Sequence, residues 1–258
     1  MHITILKSIG SPTRIFWVAG IITIAMIWPL LTIAAPSDHW MARGEVGGAR
    51  LFVDDAHLGI TAFETDTLTF DNADAWRAAI GLGYVYPLSM GSWQTKIKSN
   101  ISLSHQFRTE LSGNTLEYGD PTFNNYQNKT KIDATTLLLN LELDLITYRQ
   151  LSFFVLGGAG AGWTRVKYQE TRDDNILSGE IDLDNNTTTT FVWQSGAGFS
   201  YAMTQHMNAL LTYLYTDLGD VATGESGRTD GIAYPDLDAA QLHLREQSIM
   251  LGLEWNFL

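Results

Sequence analysis

The sequence contains no cysteine, which excludes disulfides, thiolate metal sites and a cysteine nucleophile. Positive charge is scarce. Sixteen Lys and Arg stand against 28 Asp and Glu, and the basic stretches that follow a phosphate backbone are missing, which argues against nucleic acid as a partner. Long apolar runs are scarce too: after "IFWVAGIITIAMIWPLLTI", Ile15 to Ile33, none approaches the length of a bilayer-crossing helix. His39, His57, His206 and His243 are scattered along the chain, against a histidine metal cluster. What is present is apolar and aromatic: at 45% and 11%, the 258 residues can bury a core as one domain rather than remain an acidic coil.

The apolar run sets the compartment. Lys7 and Arg14 precede it, Pro29 lies near its end, and Thr32, Ile33 and Ala34 form an acceptable cleavage site, so residues 1–34 are expected to be a signal peptide and 35–258 the exported domain. The alternative, an uncleaved anchor helix, lacks a following basic stop-transfer cluster. Loss of Lys7 and Arg14 leaves 14 basic residues against 28 acidic ones, a net charge of −14.

Beyond Ala34 the apolar residues alternate. "WRAAIGLGYVY" places Trp76, Ala78, Ile80, Leu82, Tyr84 and Tyr86 on one face, with Arg77, Ala79, Gly81 and Gly83 on the other. "WQTKIKSNISLSHQF" sets Trp93, Ile97, Ile101, Leu103 and Phe107 against Lys96, Lys98, Asn100 and Gln106. Leu137, Leu139, Leu141, Leu143 and Leu145 oppose Asn140, Glu142 and Asp144, and Phe191, Trp193, Phe199 and Tyr201 oppose Gln194, Gly196 and Gly198. "SIMLGLEWNFL" alternates Ile249, Leu251, Leu253, Trp255 and Phe257 with Met250, Gly252, Glu254 and Asn256. Period two at such lengths is that of tilted membrane-spanning strands.

Three weaker segments, from Trp40, Leu151 and Met207, bring the count to eight, as a closed bacterial barrel requires an even number. Short links ("PLSMGS", and those near Tyr148 and Gln205) alternate with long polar ones at 54–74, 108–131, 169–188 and 218–240. Short periplasmic turns and long external loops are the asymmetry of such barrels. The fold class predicted is all-β, an eight-stranded antiparallel transmembrane barrel in up-and-down order, located in the outer membrane of a Gram-negative bacterium. Trp76, Tyr86, Trp93 and Phe107 bracket aliphatic middles as interface aromatics. Inside, Arg43, Glu45, Lys96, Lys98, Glu142, Asp144 and Glu254 fall at matched depths, and an ion-pair network filling the lumen is expected.

The final strand closes the sheet against the first, removing an edge whose unsatisfied backbone groups would be costly in lipid. Ile249, Leu251, Leu253, Trp255 and Phe257 resemble the C-terminal signature of bacterial outer-membrane proteins, although Leu258 makes the aromatic penultimate. That resemblance implies recognition by the barrel assembly machinery. "LTYLYTDLGD" and "VLGGAGAGWTRV" resemble the penultimate and fifth strands of the opacity-type, porin-like outer-membrane family, similar in fold to the eight-stranded domain of outer-membrane protein A. The resemblance implies a surface-exposed barrel set in lipid and lipopolysaccharide, with variable loops for host or surface contact or for envelope integrity.

Catalysis has thin support. His105 and Asp133 share the outward face near the external rim, as in lipid-modifying barrels, but no placed nucleophile accompanies them, so no catalytic, cofactor or metal residue is assigned. Asp54, Asp55, Glu64, Asp66, Asp71 and Asp74, with Asp173, Asp174, Glu180, Asp182 and Asp184, lack calcium-loop spacing and read as solvated, extended loops. The expected role is structural or interactive at the cell surface; a narrow passive channel is the alternative, and a lipid hydrolase a more distant one.

Overall fold

The computed structural model describes residues 38–61, 64–90, 93–172, 180–229, 231–234 and 239–257. The expected signal peptide lies outside the described residues. Eight long antiparallel strands form a ring: β1 (His39–Val53), β2 (Ala73–Met90), β3 (Trp93–Leu116), β4 (Asn124–Tyr148), β5 (Leu151–Arg172), β6 (Asn186–Ala202), β7 (Met207–Ala222) and β8 (Gln241–Phe257). Each pairs with the next, and β8 pairs with β1 along 14 residues, from Trp40↔Phe257 to Val53↔Leu244. The apolar end of the chain is therefore the closing seam.

Partners followed once around the ring, from Trp40 through Tyr84, Ser99, Leu141, Gly157, Ser195, Tyr215 and Gln247, return to β1 at Arg50 rather than Trp40. This stagger makes the strands tilt by roughly 40° to the barrel axis. Among the described residues no helix is long and apolar enough to cross a membrane; strands do the crossing. Their outward side chains form the belt, with Trp76 66%, Ile80 65%, Leu82 63%, Ile249 60% and Leu251 62% exposed. Phe107 and Trp163 lie at the upper margin of the belt, and Trp40, Tyr84 and Tyr86 meet edge-on and tilted at the lower margin, with ring centroids 5.3 and 4.7 Å apart. The side chain of Trp93 is outside the described residues.

The belt occupies only part of the long strands. β3, β4 and β5 hold 24, 25 and 22 residues, where a tilted crossing needs about 10. Above the belt their outward positions turn charged, beginning with Arg108, Asp133 and Arg165. The barrel wall thus continues into the aqueous exterior: the segment expected to be a loop at 108–131 is largely strand, and of 169–188 the described residues 169–172, 181–183 and 186–188 are strand. A β-bulge explains why β3 looks complete at Phe107: the register shifts between Gln106 and Thr109, so the inward positions pass from even to odd numbers and the alternation breaks. In β7, the Gly219 N–H donates to Asp217 Oδ1 at 2.9 Å and Gly219 adopts φ 79, forming a bulge at the "TDLGD" stretch.

The upper connections fold over this extension. A hairpin of Ala56–Thr61 and Glu64–Leu68 joins β3 through Thr67↔Leu116 and Leu68↔Thr115, while Ile181–Leu183 pairs with Gly227–Thr229, which pairs with Ile232–Tyr234. The solvated, extended loops expected from the acidic residues are corrected here: alternating Ala56 and Leu58, and Ile181 and Leu183, turn inward and are buried. Several acids stay solvent-exposed beside cations, with Asp74 2.8 Å from Arg50, Asp182 3.6 Å from Lys167, and Asp54 paired with Arg245. Asp173, Asp174 and the side chain of Glu64 lie outside the described residues.

This geometry relocates the informative sites for surface tags. Gly113 and Gly224 are packed positions: a Cβ on them would stand 1.8 Å from Thr69 O and 2.4 Å from Asp184 O. A tag after Asp120, in the exposed turn that follows Glu117–Gly119, should be reached by antibody on intact cells, and one after Gln205 should not. Labelling of Gln205 with protection of Asp120 would invert the topology.

Candidate functional site: a filled lumen under an extracellular cap

Along the belt the interior mixes buried apolar side chains such as Met41, Phe154 and Met250 with charged and amide ones, and the buried cations Arg43 and Lys98 reach across the ring. Arg43 on β1 sends Nη2 to Glu142 on β4 and to Glu254 on β8, both at 2.7 Å. Lys98 on β3 lies 2.8 Å from Glu142, 3.2 Å from Glu254 and 4.0 Å from Asp144. Lys98 and Glu142 are direct cross-strand partners, as are Arg43 and Glu254. The fully buried ring of Phe154 forms one wall, with Arg43 Cζ and Lys98 Nζ at 6.0 and 5.9 Å from its centroid. Of the other two expected members, Glu45 instead accepts from Thr212 Oγ1 at 3.1 Å, and Lys96 is exposed at the mouth of a periplasmic cavity of about 120 Å³.

A second layer sits above, which sequence reasoning did not assemble. Arg77 on β2 donates to Glu246 at 2.6 Å, Thr216 at 2.9 Å, Ser104 at 2.9 Å and Gln194 at 3.3 Å, touching β8, β7, β3 and β6. Gln194 donates to Asn140 at 2.7 Å, and Asn140 to Asn100 at 3.0 Å and Ser102 at 2.8 Å. Inward parity of Arg77 was visible in the sequence; its partner Glu246 lies five places before Leu251, upstream of the strongly alternating stretch, and carried no signal of its own. Between the two layers there is a cavity of about 30 Å³, room for a water molecule or two.

Above the belt the interior becomes apolar. Leu51, Leu58, Leu68, Leu111, Ile132, Val166, Tyr168, Leu183, Leu218 and Leu242 form one buried cluster contributed by the strand extensions and the cap. The reversal has a physical cause. In the membrane the outer face already meets lipid and the ring is held by backbone hydrogen bonds, so the interior can be polar; outside, water surrounds the wall and only an apolar interior stabilises it.

Glu170 and Asp66 bury their carboxyl groups in that cap. Glu170 accepts from Thr115 Oγ1 at 3.0 Å and from the Tyr168 hydroxyl, seven residues beyond Trp163 at the belt margin and so in the aqueous extension. Burial pushes the Glu170 carboxyl up to about 7, an effect that the Tyr168 and Thr115 hydrogen bonds oppose and that Asp66 and Glu117 reinforce. A folded value above the unfolded one adds stability below pH ~4.5 that is lost as pH rises through about 7. Hydrogen exchange of Ala56–Leu68 should therefore be slower at pH 5 than at pH 8, after correction for intrinsic rates. Glu170→Gln should abolish the difference.

At the outer rim, His105 Nδ1 lies 2.9 Å from Thr135 Oγ1, while Asp133 pairs with Arg108 at 3.5 Å. The two groups weighed as a catalytic pair thus have separate partners. Among the described residues no group of three or more His, Asp or Glu is arranged to hold a metal ion. The residues expected to form an assembly signature, Ile249, Leu251, Leu253, Trp255 and Phe257, lie wholly on the outward face.

Comparison with known proteins places this architecture. A Rickettsia conorii protein provisionally named as an adhesin is 29% identical over 140 residues, covering 53% of this chain and 53% of that protein, so the chain spans about half the length of the curated relative it matches. Among solved structures, neisserial surface protein A is 11% identical, with 84% of this chain and 97% of that chain covered and a TM-score of 0.42. OprG of Pseudomonas aeruginosa is 16% identical, with 85% and 95% covered and a TM-score of 0.45. The opacity-type resemblance of β5 and β7 agrees with the wider match, the outer membrane protein beta-barrel domain model over residues 53–257. With its closed ring and apolar belt, the chain belongs to that outer-membrane β-barrel family and resides in the Gram-negative outer membrane.

Proposed function

We propose that the protein is a surface-contact barrel, with its binding surface on the extracellular extension and cap, and that the filled lumen serves as a rigid plug. The observation that carries this reading is the cap: three strands run far past the belt and, with the folded loops, enclose an apolar core outside the membrane. A rigid platform of this kind reduces the ordering cost of binding. It presents Tyr118 and Phe123, 64% and 46% exposed with ring centroids 6.4 Å apart, and Ile232, 71% exposed. The adhesin designation of the Rickettsia relative supports a role in contact with a host or neighbouring surface.

The passive-channel alternative requires ions to pass Arg43, Lys98 and Arg77, all buried and each bridging staves, and then the apolar cluster. The test pairs whole-cell binding with planar-bilayer conductance. Replacing residues 117–123 with a Gly/Ser turn should abolish binding to host cells while leaving a folded, non-conducting barrel. Undiminished binding with steady ion conduction would replace the contact reading with the channel.

The closing strand is also proposed to carry the signal for the barrel assembly machinery. Phe257→Asp should then sharply lower folded, heat-modifiable protein in the outer membrane, although a lipid-face carboxylate near the interface costs only about 0–1 kcal/mol thermodynamically. Unchanged levels would remove Phe257 from the signal.

A further inference from the structure

The outward surface above the belt is unevenly charged. In a chain of net charge −12, Arg108, Lys129, Lys131, Arg165 and Lys167 gather on three neighbouring staves, β3, β4 and β5. Arg165 occupies the first outward position above Trp163, and Lys131 stands directly opposite Lys167 in the β4–β5 register. Like charges so placed repel and weaken the strand pair. Their carboxylate neighbours are loose and solvated: Glu110 lies 3.8 Å from Lys131 and Asp182 3.6 Å from Lys167, with all four side chains more than a third exposed. Asp133, opposite Arg165 in the same register, lies 3.5 Å from the exposed Arg108. Among the described residues Lys129 and Arg165 have no carboxylate within ion-pairing distance.

We infer that this sector is a binding site for the phosphate groups of an outer-leaflet glycolipid. Height and direction select that ligand. The cations project sideways rather than toward the loop tips, within three rows of the apolar margin, where a lipid headgroup lies against the barrel. Below them Trp163 and Phe107, 41% and 49% exposed, offer apolar surface to the acyl chains of the same molecule. A phosphate between Lys131 and Lys167 would turn their repulsion into two charge-assisted hydrogen bonds, and Arg165 and Lys129 extend the site along both strands. This goes beyond the contact role of the cap, since it concerns the lateral wall and a lipid of the same membrane.

The experiment compares the refolded full chain with two variants in detergent micelles, each first verified as heat-modifiable and folded. One carries Lys129→Gln, Lys131→Gln, Arg165→Gln and Lys167→Gln; the other, Arg50→Gln and Arg245→Gln, neutralises external cations on β1 and β8. Titration with bis-phosphorylated lipid A, followed by native mass spectrometry, should show the four-site variant binding more than tenfold more weakly and the two-site variant binding as the unmodified protein does. Dephosphorylated lipid A should bind all three equally weakly. Equal lipid A affinity in all three, or an equal loss in the two-site variant, would overturn the site. Loss of binding to a sulfated polysaccharide in the four-site variant, with lipid A binding intact, would overturn it in favour of a soluble polyanion.

Discussion

Lys98→Met is expected to lower the unfolding free energy of the barrel by about 3–5 kcal/mol. Lys98 is buried, with carboxylate oxygens of Glu142 and Glu254 at 2.8 and 3.2 Å. Its removal leaves Arg43 as the buried cation paired with those two glutamates and takes from Asp144 its ion-pair partner. The energy arises from stranded negative charge in a desolvated space, so a second change that removes charge should restore stability. Lys98→Met with Glu142→Gln leaves Arg43 and Glu254 paired at 2.7 Å and should cost far less than the single change. Urea unfolding in lipid vesicles measures the cycle, with conductance recorded on the unmodified protein. Additive effects accompanied by steady conduction would mean that the lumen is hydrated and open.

The second large effect is expected at the seam, from a single methyl group. A Cβ at Gly47 would stand 1.9 Å from the carbonyl oxygen of Ile249 and 2.8 Å from the Met250 Cα, both backbone atoms of the closing strand. Neither can move without breaking the β1–β8 ladder, so Gly47→Ala should cost at least the ~1–3 kcal/mol of overpacking and deplete the heat-modifiable form. Gly48, the next residue on the same seam, faces outward, with nothing within 4 Å of its added Cβ. Gly48→Ala should fold normally. Equal behaviour of the two variants in refolding assays would show that closure does not depend on the close approach at Gly47.

The first of these expectations starts from features legible in the chain. Alternation placed Lys98, Glu142 and Glu254 on one face, and strand direction put them at similar depth; pairing needed only that the ring close. The Gly47 contact was not legible, because strand approach depends on local coiling that period two does not encode. The cap was missed for a related reason. The bulge after Gln106 exchanges the two faces of β3, so Leu111 and Thr115 fall on the parity that faces lipid lower down. Short alternations such as Ala56 and Leu58 were present in the sequence, but amid acidic residues they carried too few apolar positions to outweigh a loop reading.

By itself the sequence determined the class of fold, the number and direction of the staves, the lipid-facing side of the five strongly alternating ones and the closing role of the last strand. These follow from period two and from the requirement that every backbone polar group in lipid be paired, which leaves few other solutions. Tertiary structure alone decided what fills the ring. Arg77 meets Glu246 from a stave two places away, and Glu170 is buried only because Tyr168, Thr115 and a distant hairpin converge on it. Such contacts depend on shear, bulges and loop docking, which set distances across the barrel without leaving a periodic trace along the chain.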